Sequence, residues 1–140
     1  MNTSGILSSM GNYAKLDEKY YVNIVEYGKL TLEDGVHIRP FATIHCVNRI
    51  RIGEGTLIGP GVVIVDFEHF YGDPKEEIGE VGETAPIDIG KYCMIGANST
   101  ILKGVTLGDY CIVGAGSVVT KSFPGKSVIA GIPAKLIKTR

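Results

Sequence analysis

An aliphatic residue returns at every sixth position through the second half of the chain: Ile89, Ile95, Ile101, Leu107, Val113 and Val119. A glycine usually follows it, as at Gly90, Gly96, Gly108 and Gly114, and a small or β-branched residue stands four places on, at Cys93, Ser99, Val105, Cys111 and Ser117. The same beat runs through Leu32, Ile38 and Ile44 and, after two extra residues, through Ile52, Ile58 and Ile64. The extra pair predicts a bulge at Val47 to Ile50. Six residues are too many for one helical turn and too few for a helix hairpin, but they suit one short strand and a corner. Three such units close a triangular coil, so that residues 18 apart stack at the spacing of paired strands, about 4.8 Å. Cys93 then lies beneath Cys111, Ser99 beneath Ser117, Gly96 beneath Gly114 and Ala97 beneath Ala115. The pattern predicts an all-β chain wound as a parallel solenoid.

The repeat explains a glycine content of 19 in 140 residues, about twice the ~7% of an average protein. Glycine beside the inward aliphatic residue lets the backbone bend or approach closely where a Cβ would cost energy. A net charge of -1, from 14 Lys+Arg against 15 Asp+Glu, removes the electrostatic case for nucleic-acid binding. The longest aliphatic run, Val62 to Val65, falls far short of the ~18 residues a membrane helix needs. No charged and apolar leader precedes Lys15, so a cytoplasmic protein is expected. Cys46, Cys93 and Cys111 form no CxxC pair, which argues for reduced, buried thiols filling a narrow interior and against a metal site.

The beat fails between Ile64 and Ile89. The segment 66–88 carries Asp66, Glu68, Asp73, Glu76, Glu77, Glu80, Glu83 and Asp88 against one base, Lys75. Loops that leave a rigid repeat are favoured places for binding and catalytic groups. The reading divides the chain into an N-terminal arm or cap over 1–22, a β-helix over 23–121 interrupted by the 66–88 loop, and a C-terminal extension over 122–140. From Tyr110 onward there are five basic residues and no acidic one.

The hexapeptide unit, the run Ile112-Val113-Gly114-Ala115-Gly116-Ser117-Val118-Val119-Thr120-Lys121 and the later Gly131-Ile132-Pro133-Ala134-Lys135 resemble the left-handed β-helix acyltransferases. The likeness is greatest to maltose or galactoside O-acetyltransferases and their capsule and lipopolysaccharide cousins, and covers about residues 30 to 138. It implies the left hand of the coil, a homotrimer with each active site between two chains, and transfer of acetyl from acetyl-CoA to a hydroxyl of a sugar or glycan precursor. His69, at the rim of the last regular coil before the loop, matches the family's catalytic base. Histidine suits that task because its pKa lies near neutrality. Asp66 or Glu68 could hold the ring and fix its tautomer.

For acetyl-CoA, Ala97 and Ala115 match small residues whose backbone amides lie along the pantetheine arm. Thr120 and Lys121 match a pair that contacts the cofactor, and Lys135 and Lys138 match basic positions near its phosphates. Met94 stands where galactoside-type relatives have a bulky aromatic residue. No metal is expected. Hexapeptide-repeat carbonic anhydrases hold zinc with three histidines, but His37, His45 and His69 lack that family's spacing. An amine acceptor and a non-catalytic scaffold are the two alternatives, since a fold does not establish an activity.

Overall fold

The computed structural model describes residues 2–3, 6–25, 27–69 and 81–140, and every regular element among them is a β-strand. The first coil holds β1 (Asn2–Thr3), β2 (Ile6–Met10) and β3 (Lys15–Leu16), and the second β4 (Tyr21–Ile24), β5 (Lys29–Leu32) and β6 (His37–Ile38). The third holds β7 (Thr43–Cys46), β8 (Arg49–Ile52) and β9 (Leu57–Ile58), and the fourth β10 (Val63–Val65), β11 (Ile87–Ile89) and β12 (Met94–Ile95). The fifth holds β13 (Thr100–Ile101), β14 (Thr106–Leu107) and β15 (Ile112–Val113). The sixth holds β16 (Val118–Val119) and β17 (Ser127–Gly131), after which β18 (Ala134–Thr139) returns antiparallel along β17.

Strands of like position stack in parallel into three faces. The first runs β1-β4-β7-β10-β13-β16, the second β2-β5-β8-β11-β14, and the third β3-β6-β9-β12-β15-β17 with β18 at its end. This is a left-handed parallel β-helix. In the C-terminal coils the register step is 18 residues, as Thr100 pairs with Val118 and Met94 with Ile112. Lower down it widens to 20 between Lys29 and Arg49 and to 22 between Lys15 and His37. Strand length accounts for the difference. The two extra residues do not bulge over Val47 to Ile50 as expected: Ile50 lies inside β8, Cys46 and Ile50 are both buried, and the corner is Val47 and Asn48 alone. Residues 1–22, read as an arm or cap, include β1 to β3, which pair in parallel beneath β4, β5 and β6.

Inward positions form ladders of Ile, Val and Leu: Val22, Ile44, Ile64, Ile101 and Val119 on the first face, Ile38, Ile58, Ile95, Val113 and Ile129 on the third, all essentially inaccessible. Coils this close leave no room at the edges. A Cβ on Gly96 would lie 2.5 Å from the Ala115 nitrogen, nearer than any non-bonded approach allows. Gly116 has a different reason, since its φ of +70° is one that L side chains rarely adopt.

Buried small residues link successive coils. Thr56 donates to the Gly90 carbonyl and accepts from Cys93 N–H, while Ser99 donates to the Gly114 carbonyl and accepts from Ser117 N–H. The cysteines take part too. The Cys93 thiol donates to the Gly108 carbonyl and the Cys111 thiol to the Pro124 carbonyl, each at 3.2 Å, so they serve as donors as well as fillers. All three cysteines are free and buried. Burial pushes the Cys46 thiol up to about 12, helped by the charge of Asp66, and the Cys93 thiol up to about 11. The native protein should therefore resist an aromatic disulfide reagent at pH 8, whereas guanidinium releases three thiols. Rapid modification of any thiol in the folded protein would contradict this packing.

Candidate active site

The edge between the first and second faces carries the loop. Its neck is a short antiparallel pairing: Phe67 bridges Thr84, Glu68 N–H donates to the Glu83 carbonyl at 2.8 Å, and Ala85 N–H donates to the Asp66 carbonyl at 3.0 Å. His69 stands exposed just beyond it. Residues 70–80, with Asp73, Lys75, Glu76, Glu77 and Glu80, lie outside the described residues. Of the two acids assigned to the ring, Asp66 is fully buried, and its two carboxylate oxygens accept the N–H groups of Val47 and Asn48, each at 2.8 Å. Glu68 is exposed and pairs at 3.5 Å with Lys103, which also reaches Glu83 at 3.1 Å. Those contacts give both acids a place in the neck.

A line of rings crosses the first face toward His69. Tyr21 and His45 have centroids 5.4 Å apart, His45 and Phe67 6.3 Å, and Phe67 and His69 5.4 Å, the last two pairs edge-on. Burial holds the His45 imidazole below its ordinary 6.5; Asp66 opposes that shift and His69 adds to it. His37 is elsewhere, on the third face, 3.0 Å from Asp17. Among the described residues, no group of three His, Cys, Asp or Glu is arranged to hold a metal ion.

The remaining residues divide between two edges. Thr120 and Lys121 follow β16 on the same edge as His69, two coils farther along, with Lys121 Nζ 5.6 Å from the centre of the Phe123 ring. Ala97 and Ala115 occupy the edge between the third and first faces, one coil apart, and the Ala97 carbonyl accepts from Gly116 N–H at 2.8 Å. The same corner position holds Pro40 and Pro60 in earlier coils, which have no N–H. Neither the Ala97 nor the Ala115 N–H donates to another described residue. Lys135 pairs with Ala130 on β18 near this alanine edge, and Lys138, opposite Val128, lies farther along the strand. A hollow of about 420 Å³ lined by Tyr110, Lys126 and Arg140 is on the third edge, away from His69. One chain therefore keeps its histidine edge and its alanine edge apart, with the first face between them.

Residues 86–121 match the family described as the hexapeptide repeat of succinyl-transferase. That match places a hexapeptide repeat in this part of the chain. It is similar to WbbJ of Escherichia coli K12, a protein named for O-acetyl transfer in lipopolysaccharide biosynthesis, at 34% identity over 79% of this chain and 61% of the relative. Nodulation protein L of Rhizobium meliloti is 44% identical over 64% of this chain and 49% of its own. The chain thus spans between about half and three-fifths of these relatives' length. Among solved structures, the hexapeptide-repeat acetyltransferase VCA0836 of Vibrio cholerae, complexed with acetyl coenzyme A, superposes with a TM-score of 0.79 at 25% identity, over 93% of this chain and 69% of that one.

Sequence reasoning did not find Lys103, or the place of His45 beside the loop. Lys103 sits at an ordinary corner of the repeat, and only the return of the neck brings Glu68 and Glu83 to it. His45 affects stability in a direction that can be measured. Its folded-state pKa is depressed, so the unfolded chain binds more protons and stability falls as pH drops through 6.5. Denaturant unfolding of His45→Gln should show a smaller loss between pH 7.5 and 5.5 than the parent. An equal loss in both would remove His45 from the acid response.

Proposed function

We propose that the protein is an acetyltransferase that moves acetyl from acetyl-CoA to a hydroxyl of a sugar or glycan precursor, with His69 as the general base. The observation that carries this reading is the change from Pro40 and Pro60 to Ala97 and Ala115 along one edge. Only the later coils offer backbone N–H groups beside small side chains, and those coils share their end of the solenoid with the loop that bears His69. Ala97 is half-buried and Ala115 exposed, so an extended amide chain meets little more than methyl groups and main chain there. Lys121, Lys135 and Lys138 supply cations for phosphates at the basic end.

The separation of the two edges supports a homotrimer, the assembly that the family resemblance implies. The outward column of the third face runs Lys15, His37, Leu57, Met94, Ile112 and Val128, apolar from Leu57 onward, and that of the first is Tyr21, Thr43, Val63, Thr100 and Val118. The second face is polar: Arg51 pairs with both Glu33 and Asp88, beside Lys29 and Arg49. The apolar upper part of the third face and the uncharged column of the first suit contact with neighbouring copies on either side of the alanine edge, leaving the charged second face in water. A neighbour's alanine edge would then meet this chain's His69.

In that arrangement His69 takes the hydroxyl proton as the oxygen attacks the thioester carbonyl. The Ala97 N–H donates to the oxygen that gains charge. The protonated imidazole then returns its proton to the departing thiolate, so no covalent enzyme intermediate is required.

Calorimetric titration should show saturable binding of CoA and acetyl-CoA, weakened by Lys121→Ala. Absence of binding at millimolar CoA would instead support a scaffold. Acetyl transfer to a panel of sugars and amines then identifies the acceptor class. With the best of these, His69→Ala should lower turnover by about 10² to 10⁴, and wild-type turnover in that variant would end the assignment. Lys121→Ala and Lys135→Ala should raise the KM for acetyl-CoA more than they lower turnover; a pure turnover defect would contradict a binding role.

A further inference from the structure

We propose that Asp66 is a positioning residue for His69 that acts through the backbone of the loop neck, with Lys103 as its counterpart on the far side. This rests on the reading of His69 as the base. Three independent ties fix the neck. Below it, the buried Asp66 carboxylate accepts both N–H groups of the Val47–Asn48 corner, and Asn48 Nδ2 donates to Thr84 Oγ1 at 3.1 Å. Across it, residues 66 to 68 hydrogen-bond to 82 to 85. Above it, the Lys103 ammonium bridges Glu68 and Glu83, one from each strand.

The chemistry of the corner specifies a carboxylate. Two adjacent N–H donors from the coil below need two acceptors, and aspartate brings both on a side chain short enough to stay buried. Asparagine has the same shape, yet it turns an NH₂ toward one of those donors and leaves a buried N–H unpaired. The neck then loses its fixed point on coil three. His69 follows Glu68 directly, so any shift of the neck moves the imidazole. A misplacement of about 1 Å at a reacting group costs on the order of 10² in rate.

The test is a double-mutant cycle on Asp66→Asn and His69→Ala. Acetyl-CoA is the donor, with the fastest acceptor of the panel, or water where none is faster, and CoA thiol release is the readout. Asp66→Asn should lower turnover by about 10- to 100-fold, leave the KM for acetyl-CoA within about twofold, and have no further effect in the His69→Ala background.

An additive loss in the double variant would show that Asp66 acts independently of His69. That result overturns the proposal, as does wild-type turnover in Asp66→Asn. Should Asp66→Asn fail to fold, Lys103→Met carries the same cycle: a turnover defect absent from the His69→Ala background supports the proposal, and unchanged turnover overturns it. Wild-type turnover in His69→Ala alone removes the base assignment itself, a result distinct from all of these.

Discussion

Hydrogen bonds from each coil to the next run along three faces, and they continue around the edges only where the backbone of one coil can touch the backbone of its neighbour. The Gly96 approach to Ala115 and the hydroxyl and thiol donors of Thr56, Ser99, Cys93 and Cys111 serve that contact. A side chain in the wrong place would separate two coils, and every strand stacked beyond them would lose register. The aliphatic ladders supply the burial that stabilises the stack, but the small residues at the edges decide whether a stack exists.

That constraint also sorts the chemistry. The interior is filled and the faces are narrow, so functional groups can stand only on outward positions, at edges, or on a segment that leaves the solenoid. His69 is on such a segment, the alanine amides are at an edge, and the lysines follow the last full coil or lie on the returning strand. Groups on separate edges of one triangular prism are held apart by the face between them. The outward column of the third face is apolar from Leu57 onward, whereas the second face carries the ionic network of Arg51, Glu33 and Asp88.

Much of the architecture could be read from the chain because a six-residue period encodes both strand and corner. The ladder of Ile89, Ile95, Ile101, Leu107, Val113 and Val119, and the stacking of Cys93 on Cys111, are as the spacing predicts. The lower coils were harder to read. Longer strands absorb the extra residues there, so Ile50 belongs to a strand rather than a bulge, and the first 22 residues, whose apolar positions are too scattered to show the beat, still supply three parallel strands. At the site, family likeness together with the break in the repeat pointed to His69, and motif likeness to the alanines and lysines. The partners of Asp66 and Glu68 depended on which corner lies beneath the loop and which lysine lies above it, and those neighbours come from winding rather than from nearness in sequence.

The coil itself acts as a ruler. Thr120 and Lys121 lie two coils beyond the strand that leads to His69, and each coil advances by about 4.8 Å along the axis. Separation along the axis can therefore change only in whole steps, because part of a coil would rotate an edge residue onto a face. In a solenoid of this kind the distance between the loop and the returning strand β18 grows or shrinks by an entire coil, and neither end has to be rebuilt when it does.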